Sequence, residues 1–100
     1  MKLYINTSER KKIVIKIDEL SFESMVLPEK SQMVVPFIET CLAERKKKFS
    51  DISEITVMTG PGSFTGLRVG VSVSQALAWS LDIPLNGDEF NQRKFVEIHY

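Results

Sequence analysis

The order of apolar runs in this chain predicts an α/β domain: a mixed five- or six-stranded sheet with two main helices packed on it. Three observations carry the prediction. Short, β-branched-rich runs separated by turn residues fill the first quarter of the chain. Two longer segments then repeat apolar residues at helical spacing. Between them a short apolar run leads directly into "TGPGSFTGLRVG", Thr59–Gly70, which holds most of the chain's 5 glycines and one of its 4 prolines.

Lys2 to Asn6 and Lys12 to Ile17 read as two strands joined by a turn through "TSERK", and Leu20 to Val26 alternates as a third, giving an antiparallel meander. Ser31 can cap a helix running to about Lys48. On its wheel Met33, Val34, Val35, Phe37, Ile38, Cys41 and Leu42 cover close to half the circumference, with Gln32, Glu39, Ala43 and Lys47 opposite. Pro36 sits inside that pattern, so the helix either begins near it or is kinked there. Ile55 to Met58 is a short buried strand, and a second helix runs from about Phe64 to Leu81. Ile83 to Asn86 starts a further strand, and Lys94 to Tyr100 ("KFVEIHY") alternates like a last edge strand.

Composition sets the frame. A chain of 100 residues, 43% hydrophobic and 26% charged, is one soluble domain, residues 1–100, able to bury roughly two thirds of its unfolded surface. Lys+Arg and Asp+Glu are 13 each, so no overall field draws in nucleic acid. The one basic cluster, "ERKKK" at Glu44–Lys48, reads as a solvated helix end whose cations complement the dipole, with an RNA or phosphate contact as the alternative. Cys41 is the only cysteine, which excludes an internal disulfide, and its apolar neighbours make it a packing residue rather than a nucleophile. His99 is the only histidine, too few for a zinc set, so no metal site and no cofactor is expected. The opening "MKLYINTSERKK" turns polar too soon for a signal peptide or a membrane span, and a cytoplasmic location is the expectation.

The second helix carries more than an apolar stripe. Arg68, Ser72, Gln75 and Trp79 form a narrow stripe, and the rest of the wheel is apolar or small, so burial on two sides is expected. Gly66, Gly70, Ser74 and Ala78 follow at i, i+4, i+8 and i+12, a ridge of small residues that admits another backbone closely at a cost of about 1 kcal/mol of helix propensity per glycine. The sharper expectation is a helix of another subunit against that ridge, and the plainer one is the domain's own sheet. The loop before the helix has two readings as well. Gly60, Pro61, Gly62, Ser63, Gly66 and Arg68 can build a phosphate cradle at a helix N-terminus. Yet the lysine and hydroxyl of a P-loop are missing after Gly66, as is the G-x-G-x-x-G spacing. A structural corner, with Pro61 fixing one φ, Gly60 and Gly62 free to adopt φ > 0, and Ser63 or Thr65 as cap, accounts for every residue.

These residues carry a resemblance. "GPGSFTGLRVG" resembles the signature of the bacterial TsaB (also called YeaZ) family. "LYINTSERKKIVIKI" is similar to that family's first hairpin, "KSQMVVPFIETCL" to its first long helix with the same internal proline, and "DISEITVMTGPGSFTGLRVGVSVSQALAWSLDIPLNG" to its strand, loop, helix and following strand. The resemblance implies an actin/Hsp70-like (ASKHA, ribonuclease H-like) domain and a part in forming N6-threonylcarbamoyladenosine in tRNA. It implies a non-catalytic scaffold that pairs with the catalytic subunit TsaD, with the ATPase TsaE joining the pair and tRNA engaged indirectly; an exposed apolar helix pair, which seldom stays unpaired, adds the expectation of a homodimer in isolation. Carried over by position, the interface would use Val34, Val35, Ile38, Cys41 and Leu42 of the first helix and Gly66, Val69, Gly70, Val73 and Leu77 of the second. Two departures stand out. Asn6 occupies the place of an aspartate common after the first strand, which removes a carboxylate useful beside nucleotide-bound metal. The family's usual C-terminal domain has no counterpart in this length. A self-associating nucleotide-binding protein with weak or no ATPase activity is the alternative function.

Overall fold

The computed structural model describes residues 1–9, 12–25, 30–62 and 64–87. Strands β1 (Lys2–Asn6), β2 (Lys12–Ile17) and β3 (Leu20–Met25) form the expected meander, and β4 (Glu54–Val57) joins it. The sheet order is β3-β2-β1-β4. β1 and β2 are antiparallel with Leu3 opposite Ile17 and Ile5 opposite Ile15, β2 and β3 are antiparallel, and β1 and β4 are parallel with Leu3 opposite Ile55. Parallel pairing requires a crossover, which helix α1 (Lys30–Glu44) supplies between β3 and β4. Helix α2 (Phe64–Leu81) follows β4.

The period-2 pattern of the strands decides which face the helices cover. Leu3, Ile5, Ile13, Ile15, Ile17, Ile55 and Val57 are buried on one face, together with Val34, Ile38, Cys41 and Leu42 from α1 and Leu67, Val71 and Ala78 from α2. The alternate residues carry polar pairs on the other face. Lys16 Nζ lies 5.2 Å from the centroid of the Tyr4 ring directly across the ladder, and Lys2 and Glu54 approach to 3.3 Å between β1 and β4. Exposed pairs of this kind contribute only about 0–1 kcal/mol each, so the helix-covered face holds the sheet together.

Among the described residues the sheet has four strands, and the expected run Ile83 to Asn86 contributes a single parallel bridge, Leu85 to Ile55, before left-handed Asn86 (φ 52°) and Gly87 (φ 78°). The expected strand Lys94–Tyr100 lies outside the described residues. Helix α1 starts before Ser31, which is therefore not its cap, and it runs through Pro36 rather than beginning there. It also ends at Glu44, short of Lys48, because Lys46 adopts φ 56° and the amides of Lys46 and Lys47 close the end by bonding to the carbonyls of Ala43 and Leu42 at 3.0 and 2.9 Å.

Candidate functional site

The glycine corner is built where β1 and β4 end and α2 begins. Thr7, the first residue past β1, is fully buried, and its hydroxyl donates to the Gly66 carbonyl in the first turn of α2 at 2.5 Å. Gly70, one turn further on, faces the same side chain: a Cβ there would collide with Thr7 Oγ1 and lie 3.5 Å from Val57 Cγ2. In the loop, a Cβ on Gly62 would stand 2.7 Å from both Ser8 Cβ and the Ser8 carbonyl oxygen. The small residues of this region therefore exist to let α2 and its leading loop press against the end of β1. Ser74 and Ala78 continue the ridge and are fully buried as well.

This corrects the sharper expectation for the ridge. Gly66, Gly70, Ser74 and Ala78 lie inside the domain, with Gly70 set against Thr7 and Val57, and no helix of another subunit is needed to explain them. The same burial divides the residues expected at a partner interface. Val34, Ile38, Cys41, Leu42, Gly66 and Gly70 are interior, within the chain's own core. Val35, Val69, Val73 and Leu77 are half-buried, and Val69, Val73 and Leu77 pack against the core's edge with Phe37 while keeping part of their surface open. Met33 and Trp79 are exposed at 45% and 65%. The two-sided burial expected of α2 is thus half supplied: the sheet takes one side, and a row of valine and leucine at successive i+4 positions borders the other.

Of the loop residues, Gly60 takes φ 135°, a conformation that favours glycine, and its peptide bond to Pro61 is cis. Pro61 and Gly62 are exposed, Arg68 is exposed on the polar stripe, and Ser63 lies outside the described residues. Asn6, in place of a carboxylate, uses its side-chain oxygen locally, accepting from the Ser8 amide at 2.9 Å and the Ser8 hydroxyl at 2.6 Å. That Asx turn fixes the loop against which Gly62 packs. Among the described residues no group of three or more His, Cys, Asp or Glu side chains could hold a metal ion, and no helix is long and apolar enough to cross a membrane.

Two residues not singled out from the sequence matter here. Thr7 is the close neighbour of Gly66 and Gly70, and its only signal in the sequence is a small β-branched hydroxyl residue one step past a strand. Asn86 finishes the outer edge of β4: its Oδ1 accepts from the Val57 amide at 2.8 Å, and its backbone amide donates to the Ile55 carbonyl at 2.8 Å. Cys41 is buried in the core, and its thiol is pushed up to about 11, first by burial and then by the negative charge of Glu44. It is inert at neutral pH.

A mixed sheet in the order 3-2-1-4, with two helices on one face and a glycine corner joining β4 to α2, defines an actin/Hsp70-like (ASKHA) α/β fold. A family described as TsaD, tRNA N6-adenosine threonylcarbamoyltransferase, matches residues 26–87, and the chain belongs to that family. Within it the chain is similar to proteins named TsaB. It is 43% identical over 56 residues to the tRNA threonylcarbamoyladenosine biosynthesis protein TsaB of Bacillus subtilis, covering 56% of this chain and 24% of that protein. It is 34% identical over 59 residues to TsaB of Escherichia coli, covering 59% of this chain and 26% of the relative. In structure it is similar to YeaZ from Pseudomonas aeruginosa, with a TM-score of 0.72 and 25% identity over 84% of this chain and 41% of the other. The match thus spans about a quarter of the length of the curated relatives.

Proposed function

We propose that this chain acts as a TsaB-type, non-catalytic subunit in the formation of N6-threonylcarbamoyladenosine on tRNA, a soluble cytoplasmic scaffold that docks the catalytic subunit TsaD through the outer faces of α1 and α2. The observation that carries the reading is the half-buried row Val69, Val73 and Leu77 on α2, left partly open by the chain's own sheet, together with Met33 exposed on α1. Open apolar surface on adjacent helices is what a helix-to-helix interface buries. Membership of a family described by a tRNA threonylcarbamoyl transfer and the likeness to proteins named for threonylcarbamoyladenosine biosynthesis support the pathway. TsaE would join the assembled pair, and a homodimer through the same faces is the resting form that TsaD displaces.

The test is size-exclusion chromatography with light scattering on the chain alone and mixed with TsaD. A one-to-one complex is expected. Val73→Asp places a charge in the row and should abolish that complex while leaving the thermal midpoint close to the parent's. A Val73→Asp variant that still binds TsaD with parental affinity would remove these faces from the interface, and a parent chain that ignores TsaD would sink the scaffold role itself.

A further inference from the structure

Four consecutive cations, Arg45, Lys46, Lys47 and Lys48, follow the last residue of α1, and all four are exposed. They are held in a set order rather than trailing from a frayed end. The amides of Arg45 and Lys47 both donate to the Leu42 carbonyl, at 3.0 and 2.9 Å, and the Lys48 amide donates to Asp51 Oδ2 at 2.8 Å. Lys46 occupies the left-handed position, φ 56°, where glycine is the residue of least strain. None of the four forms an ion pair with a described carboxylate. The nearest acid that follows in sequence, Asp51, is engaged by a backbone amide instead.

The topology places a second feature at the same end. β3 and β4 run parallel to β1, so α1 and α2, which each follow one of these strands and return, both finish at the end where β1 and β4 begin. Trp79, in the last turn of α2 and 65% exposed, therefore lies at the same pole as the cation run, opposite the glycine corner. Unpaired cations with an exposed indole suit a sugar-phosphate backbone carrying accessible bases: the cations neutralise phosphates and the ring offers a stacking face. An anionic lipid surface would instead call for an amphipathic helix laid flat, whereas α1 buries its apolar residues in the core.

We infer that Arg45–Lys48, with Trp79, form a binding site for the phosphate backbone of tRNA at the pole where both helices end. The inference rests on the tRNA-modification reading above. It predicts that the chain, alone or with TsaD, binds unmodified tRNA with a salt dependence to which these four residues contribute.

The experiment is fluorescence anisotropy with labelled tRNA across a salt series. It compares the parent, an Arg45→Gln/Lys46→Gln/Lys47→Gln/Lys48→Gln variant, a charge-preserving Lys47→Arg/Lys48→Arg variant and Trp79→Ala. Each phosphate interaction removed should lower the slope of log K against log salt by about 0.7–0.9. The neutralised variant is expected to bind at least about tenfold more weakly, and the charge-preserving one like the parent. Lys46→Gly, which relieves the backbone while removing one cation, supplies a variant that folds at least as well as the parent. Unchanged slope and affinity in the neutralised and Lys46→Gly variants would overturn the inference. So would parental binding to phosphatidylserine vesicles with none to tRNA. TsaD binding in the same preparations separates the two readings: its retention with loss of tRNA affinity supports the tRNA site, and its absence in the parent counts against the scaffold role alone.

Discussion

Gly70 carries the most specific structural demand in the chain. A methyl group there lands on the Thr7 hydroxyl, which is already bonded to Gly66. Gly70→Ala gains about 1 kcal/mol of helix propensity, yet it must displace that hydroxyl or push α2 outward, at about 1–3 kcal/mol for overpacking. A net loss of stability is expected in urea unfolding. Because the clash is with one side chain, Thr7→Ala should relieve part of it, so the double variant is expected to be less destabilised than the sum of the singles. Strict additivity would show that Thr7 is not what Gly70 packs against. Cys41 yields a second prediction. Its thiol is raised from the ordinary 9.0 to about 11, so the folded state favours the neutral form. That contribution is fully present below pH 9 and is lost as pH rises from there through about 11, because the unfolded thiol ionises first. Native protein should resist thiol reagents at pH 8 and react at once in denaturant. Rapid labelling of the native state would contradict the burial.

The elements differ in how far local pattern decides them. β1, β2 and α2 form over the spans their periodicity predicts, since alternation along a strand and an 18-residue apolar helix leave little choice of face or period. The end of α1 is not legible in the sequence, because lysine is a good helix former and nothing in "ERKKK" announces a left-handed residue at Lys46. The strand expected from Ile83 to Asn86 fails for a similar reason. A run reading "IPLN" has strand character, but one bridge at Leu85 is followed by an asparagine whose side chain takes over the ladder. Asn86→Ala should therefore leave the Val57 amide, on a buried residue, without its acceptor and cost about 1–3 kcal/mol, measured by thermal unfolding. A neutral substitution would mean that water replaces the amide at this edge.

Across the whole molecule, topology sets apart the two surfaces proposed to bind TsaD and tRNA. The helices share one face of the sheet, with Val69, Val73 and Leu77 half-buried at its edge, while both their C-termini deliver the cation run and Trp79 to one pole. Val73→Asp and neutralisation of Arg45–Lys48 are accordingly expected to be separable, the first losing TsaD and keeping tRNA, the second the reverse. Loss of both functions in either variant, with the fold intact by circular dichroism, would show one continuous surface instead.

The candidate site is half visible in the residue order. A glycine-rich corner, a helix lined with small residues and two apolar helix faces can be read from spacing, because backbone sterics and helical period act over a few residues and leave their mark in the string. Which body meets each face cannot be read there. The ridge Gly66, Gly70, Ser74 and Ala78 would look the same against a partner's helix, and only the closure of the parallel pair β1 and β4 beneath α2 brings Thr7 under Gly70 and assigns the ridge to the interior. The same closure turns Val34, Ile38, Cys41 and Leu42 inward and leaves Val69, Val73 and Leu77 at the border. Local chemistry settles period and turn; burial is a property of the assembled chain, since it depends on residues far apart in sequence arriving at the same place.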